Sequence, residues 1–207
     1  MKNALSWEEI HNILNNYITS IFSGYNIQEL NEYEKRKIIY DYLVRNLEYD
    51  YEKLNEIRDF NLKKIDRVKR NPIEELMNTI LKKKGICNGI SQFYKLLLEC
   101  VGINSYCVVC NDGTPVNHQL NIVYNSEKNN YSFDDVTSAI VYKEYNYKYF
   151  DYDIAAANAM NQGVEKNEID EYWTILNDEL INFYVGRKKG MFEDIKYFPN
   201  ESISSYR

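Results

Sequence analysis

Histidine is nearly absent from this chain: its 207 residues include only His11 and His118. Any imidazole base therefore has very few places to come from. Basic residues do not dominate either. Lys and Arg total 25 against 31 Asp and Glu, a formal net charge of −6. No domain-wide positive field is available to grip a polyanion, so no nucleic-acid partner is expected. Cysteine is limited to Cys87, Cys100, Cys107 and Cys110. A disulfide-stapled secreted domain would carry more cysteine and less apolar core, so a reducing, cytoplasmic setting is expected. No window approaches the roughly 18 apolar residues of a membrane span. The start, MKNALSWEEIHNIL, is charged and amphipathic and does not resemble a signal peptide. No membrane partner is expected. Proline and glycine number 3 and 8, whereas tyrosine numbers 20 and hydrophobic residues make up 44%. That much apolar material excludes disorder for most of the chain, and the length suits one domain with a modest addition.

Helical signals fill the first part. Ser6 with Glu9 makes a capping-box pattern, and Ile10, Ile13, Leu14, Tyr17, Ile18, Ile21 and Phe22 recur on one face before Gly24. Asn31 with Glu34 repeats the signal ahead of Ile38, Ile39, Tyr42, Leu43 and Leu47. Residues 51–70 are charged and loosely periodic, as in a solvated helix. Asn71-Pro72 is a helix start, and Lys82-Lys83-Lys84-Gly85 a helix end with glycine as the left-handed cap. Ile90, Phe93, Tyr94, Leu97, Leu98 and Val101 then form an unbroken stripe ended by Gly102. This helix should be central and buried.

After Gly102 the period changes to two. Runs at 104–111, 117–124 and 130–137 read as strands joined by short polar turns, which implies an antiparallel sheet. Further short strands are expected between Ile140 and Phe150. From Asp153 the chain again reads as helix, with Ile169, Tyr172, Trp173, Leu176, Leu180, Phe183 and Tyr184 on one face. The expected class is α+β, with N-terminal helices packed on an antiparallel sheet and a C-terminal helical segment. Residues 1–150 are expected to form the core, and residues 151–207 an extension packed on it.

Cys87 stands out among the thiols. It opens the central helix, where unpaired N–H groups favour a thiolate, and its flanking glycines would let a substrate approach the sulfur. Cys100 lies at the opposite helix end. Cys107-x-x-Cys110 falls on a strand, where positions three apart point to opposite faces, a poor arrangement for zinc. No metal or cofactor is expected. His118 opens a strand and is the natural candidate for the base. The tyrosines at 142–152 are expected to serve mainly in packing.

The stretch GICNGISQFYKLLLECVGI, Gly85 to Ile103, resembles the nucleophile segment of the transglutaminase-like superfamily, a papain-related group of cysteine enzymes. His118-Gln119-Leu120-Asn121 is similar to that family's H-A-W-N, and Asp135-Val136-Thr137 to its D-x-T. IIYDYLVRNLEYD, Ile38 to Asp50, resembles the helix that precedes its core. The pieces occur in family order, in the spacing of its compact bacterial form. The resemblance implies a papain-like core with a triad of Cys87, His118 and Asp135. Cys87 would attack an acyl carbon, His118 would activate the thiolate and protonate the leaving amine, and Asp135 would orient the imidazole. Asp134 is the alternative orienting group. Strand alternation lets one of the two face His118, and the alignment favours Asp135.

Two positions depart from the family pattern: Leu120 and Ser138 stand where it has tryptophan. Both bear on the cleft and leave the substrate open. The oxyanion would be met by the Cys87 N–H and a second donor. Gln92 lies too far along the helix for this, and Tyr49, a further candidate, is expected to be a packing residue. The resemblance implies an acyl hydrolase or transferase acting on amide or peptide bonds of a protein or peptide substrate, with peptide cleavage foremost. Glutamine deamidation and transamidation share its first half-reaction. A non-catalytic peptide-binding module on the same fold is the alternative. Oligomeric state is not legible.

Overall fold

The structure, a computed structural model, describes residues 7–63, 72–110, 118–128 and 130–153. Helix α1, Trp7–Ile21, buries Leu14 and Ile21 with the following Phe22, on the face their spacing implies. Gly24 turns the chain at φ +91, a backbone value that glycine adopts without strain. Helix α2, Glu32–Asn46, begins with a complete capping box. Asn31 Oδ1 accepts the Glu34 N–H at 2.8 Å, and the Glu34 carboxylate accepts the Asn31 N–H at 2.9 Å. Its buried residues are Arg36, Ile39, Tyr40, Leu43 and Val44. Ile38 and Tyr42, expected on that face, are only partly covered. The face is rotated because it includes an arginine, which hydrophobic spacing cannot detect.

Strand β1 is only Glu48–Tyr49. Helix α3, Tyr51–Lys63, follows, then α4, Pro72–Lys82, which turns Leu76 and Ile80 inward. Strand β2, Lys84–Gly85, pairs parallel with β1, Glu48 opposite Lys84 and Tyr49 opposite Gly85. So short a ladder has no periodicity to read. The left-handed residue after α4 is Lys83, at φ +53, not Gly85 as expected. Gly85 is kept small for another reason, given below.

Helix α5, Cys87–Cys100, is the centre of the molecule. Ile90, Phe93, Tyr94, Leu97 and Leu98 are all 0% exposed. Burial of so many large side chains, each worth roughly 1.5–3 kcal/mol, makes this helix the main organiser of the core. The sheet comprises β3, Ser105–Cys110; β4, His118–Asn125; β5, Asn130–Asp134; and, after helix α6, Val136–Tyr142, a short β6, Tyr152–Asp153. The order is β3-β4-β5-β6, antiparallel throughout. The fold is thus mixed α+β.

Two expectations about this half require correction. The strand reaching Thr137 stops at Asp134, because the Asp135 side chain accepts the Ser138 N–H and starts α6. The further strands expected between Ile140 and Phe150 are instead the end of α6 and turns in which Lys143 and Tyr147 take positive φ. The Tyr- and Val-rich composition there imitates a strand. The helical segment expected after Asp153 lies outside the described residues, as does Ser6. No helix among the described residues is long and apolar enough to cross a membrane.

Candidate active site

Cys87 is the first residue of α5 and is buried. The chain reaches it through the β1–β2 ladder, which is extended by Glu48 N–H to Lys83 O and Asp50 N–H to Gly85 O, both at 2.9 Å. Gly85 and Gly89, expected to open the sulfur to a substrate, do something else. A Cβ on Gly85 would stand 2.1 Å from Thr79 Oγ1. One on Gly89 would stand 2.2 Å from the same atom and 2.7 Å from Glu75 O. Thr79, fully buried, occupies that space and donates to Glu75 O at 2.9 Å. The glycines therefore let α4 press against the first turn of α5, which fixes the turn that carries Cys87 from behind.

Farther along the helix, Ser91 Oγ donates to Gln119 O at 2.9 Å and Asn121 Nδ2 donates to Ser91 O at 3.0 Å. These bonds lock β4 to α5 and hold His118, its first residue, near the start of the helix. His118 Nε2 lies 3.0 Å from Asp135 Oδ2, and Cys87 is a hydrogen-bond and charge partner of the same ring. Burial disfavours the imidazolium, but Asp135 and Cys87 outweigh it and raise the His118 pKa to about 10.

Asp135 is buried, and both its oxygens are engaged. Oδ1 accepts the Ser138 N–H at 2.9 Å, and Oδ2 accepts the Ser138 hydroxyl at 2.6 Å. Its own N–H donates to Tyr149 O at 2.8 Å. The structure thus brings Cys87, His118 and Asp135 together. Asp134 goes elsewhere. Its carboxylate accepts Arg36 Nε at 2.6 Å and a terminal guanidinium nitrogen at 2.5 Å, the Tyr94 hydroxyl at 2.7 Å and the Asp151 N–H at 2.8 Å.

Tyr49, on β1 beside Gly85, has its phenol held above its usual pKa by burial and by the negative charge of Cys87. It remains an O–H donor near neutral pH. Gln92 donates to Asn88 Oδ1, and Asn88 Nδ2 donates to Glu75 Oε2 at 2.6 Å, so this amide is used within the helix pair. Burial pushes the Cys100 and Cys107 thiols up to about 12, in each case the largest cause. Sequence reasoning named Ser138 only as a departure from the family's tryptophan that bears on the cleft, and missed its bonds to Asp135 because it read this stretch as strand. It also missed the Arg36–Asp134 pair. Among the described residues, no group of three or more His, Cys, Asp or Glu is placed to hold a metal ion.

A central helix headed by a cysteine thus packs on an antiparallel sheet that brings His118, at the start of β4, to Asp135, just past the end of β5. The family model described as a transglutaminase-like domain matches residues 19–165, and the chain belongs to that family. A solved structure described as the crystal structure of a TGase is similar in fold, with a TM-score of 0.50 and 19% identity. The likeness covers 67% of this chain and 35% of that one, so the present chain matches little more than a third of that protein. No curated protein matches the chain closely enough to count as a relative.

Proposed function

We propose that the protein is a cysteine-dependent enzyme that hydrolyses amide bonds of a protein or peptide substrate through a thioester on Cys87. The observation that carries this reading is the juxtaposition of Cys87, at the head of α5, with a His118 ring paired to Asp135 at 3.0 Å. The carboxylate takes Nε2, which leaves Nδ1 as the nitrogen that serves the thiol.

The thiolate attacks the amide carbon. A C–S bond forms and the carbonyl pair moves onto oxygen. The Cys87 N–H and the Tyr49 hydroxyl meet that oxyanion. As the intermediate collapses, the C–N bond breaks and the amine nitrogen takes the proton of the His118 imidazolium. The neutral imidazole then takes a proton from water, whose oxygen attacks the thioester. The C–S bond breaks, and the thiolate–imidazolium pair is restored. An amine in place of water would give transamidation by the same steps.

Alkylation is the direct test. Iodoacetamide should label Cys87 stoichiometrically and rapidly near neutral pH, ahead of the other three cysteines, and His118→Ala should abolish that advantage. Equal, slow labelling of all four cysteines overturns the reading. A peptide library assayed with and without added amine separates hydrolysis from transfer.

A further inference from the structure

Asp135 receives more hydrogen bonds than pairing with His118 requires. Ser138 contributes two of them, its N–H to Oδ1 at 2.9 Å and its hydroxyl to Oδ2 at 2.6 Å. Oδ2 is also the oxygen that meets His118 Nε2. The N–H bond alone would cap α6, so the hydroxyl is not needed to start the helix. Ser138 is only 8% exposed, which leaves its short side chain little freedom to turn away from the carboxylate.

We infer that the Ser138 hydroxyl is a positioning residue of the site, which shares Asp135 Oδ2 with His118 and moderates how strongly the carboxylate holds the imidazole proton. The inference rests on the cysteine mechanism proposed above. A hydrogen bond to an ionised carboxylate spreads its charge and lowers its attraction for a proton. Without the hydroxyl, Asp135 would hold the imidazolium more tightly. His118 must surrender that proton to the leaving amine, so an over-tight grip slows acylation. Other groups around the pair have separate partners or distinct positions. Cys87 approaches from α5, while Tyr49 from β1 and Tyr40 from α2 both feel the charge of Asp135. The neighbouring Asp134 is neutralised by Arg36 from α2. Ser138→Ala leaves all of these in place.

The test is an NMR titration of the imidazole resonances in a Cys87→Ala background, which removes the coupled thiol. His11, the second histidine, serves as the internal reference. Ser138→Ala should raise the His118 midpoint by about half a pH unit or more, and Ser138→Thr, which keeps the hydroxyl, should restore the parent value. Ser138→Gly removes the same hydroxyl and serves if the alanine variant does not fold. An unmoved or lowered His118 midpoint in the hydroxyl-free variant overturns the inference, as does a threonine variant that behaves like alanine. Asp135→Asn is run alongside. If it lowers the midpoint while loss of the Ser138 hydroxyl does nothing, the Ser138 role fails and the His118–Asp135 pairing stands. If Asp135→Asn leaves the midpoint where it was, the proposed mechanism itself fails.

Discussion

Asp134 and Asp135 are adjacent in the chain, both almost fully buried, and bound to partners of different kinds. Asp134 is gripped in two-point fashion by Arg36, which also reaches Asp151 at 3.0 Å and lies over the Phe150 ring at 4.9 Å. Tyr94 adds a bond from α5, so one carboxylate ties together α2, α5, β5 and the segment before β6. Its main partner is a guanidinium, which never gives up its proton near neutral pH. Asp135 is bound by an amide N–H, a hydroxyl and an imidazole. Only the last can exchange a proton in the working range of an enzyme. The comparison teaches that a buried carboxylate becomes structural or reactive according to the acidity of its partner.

The sharpest way to break the comparison is Cys87→Ala, which should reduce amide hydrolysis by on the order of 10³-fold or more while barely moving the urea midpoint. Arg36→Ala should do the converse. It strands the Asp134 charge in the interior and should cost about 3–5 kcal/mol of stability by urea denaturation. If Arg36→Ala were as stable as the parent, the structural half of the comparison would be wrong. Gly89→Ala tests what stands behind Cys87. It forces α4 and α5 apart at Thr79 and should cost about 1–3 kcal/mol, accompanied by slower alkylation of Cys87.

The pH dependence of stability is the most discriminating effect. The folded-state pKa of His118 is raised from 6.5 to about 10. A group raised on folding stabilises the protein fully below its unfolded pKa, and that stability is lost as pH rises through the folded pKa. Urea midpoints should therefore fall between about pH 6.5 and pH 10, and Asp135→Asn should flatten the fall. The Arg36 guanidinium should contribute no slope in that window, because the charge of Asp134 outweighs the opposing effect of burial and raises its pKa.

Local patterns made some elements readable. The Asn31–Glu34 capping box and the stripe on α5 each carry their instruction within a few residues, and both helices form as expected. The order of the glycine–cysteine segment, His118 and the D-x-T piece pointed to the family that now matches residues 19–165. Other features depend on residues far apart. The β1–β2 ladder joins positions 48–49 to 84–85 and leaves no trace in either stretch. The glycines around Cys87 suggested access, whereas Thr79, from a different helix, reveals them as packing positions. Strand-like composition between Ile140 and Phe150 was misleading because the Asp135 cap begins a helix just before it.

The scarcity of histidine, the cysteine before a strong amphipathic helix and the order of the motif pieces are properties of the chain alone. They single out Cys87 and His118 as candidates, because an amino acid's intrinsic reactivity and its place on a helix are local facts. The division of labour between Asp134 and Asp135 is not local. It is decided by Arg36, which lies 98 residues before Asp134 and is buried against it, and by His118, brought to Asp135 across the sheet. Only tertiary structure could make that choice, because a carboxylate's role depends on which distant charge the fold places beside it.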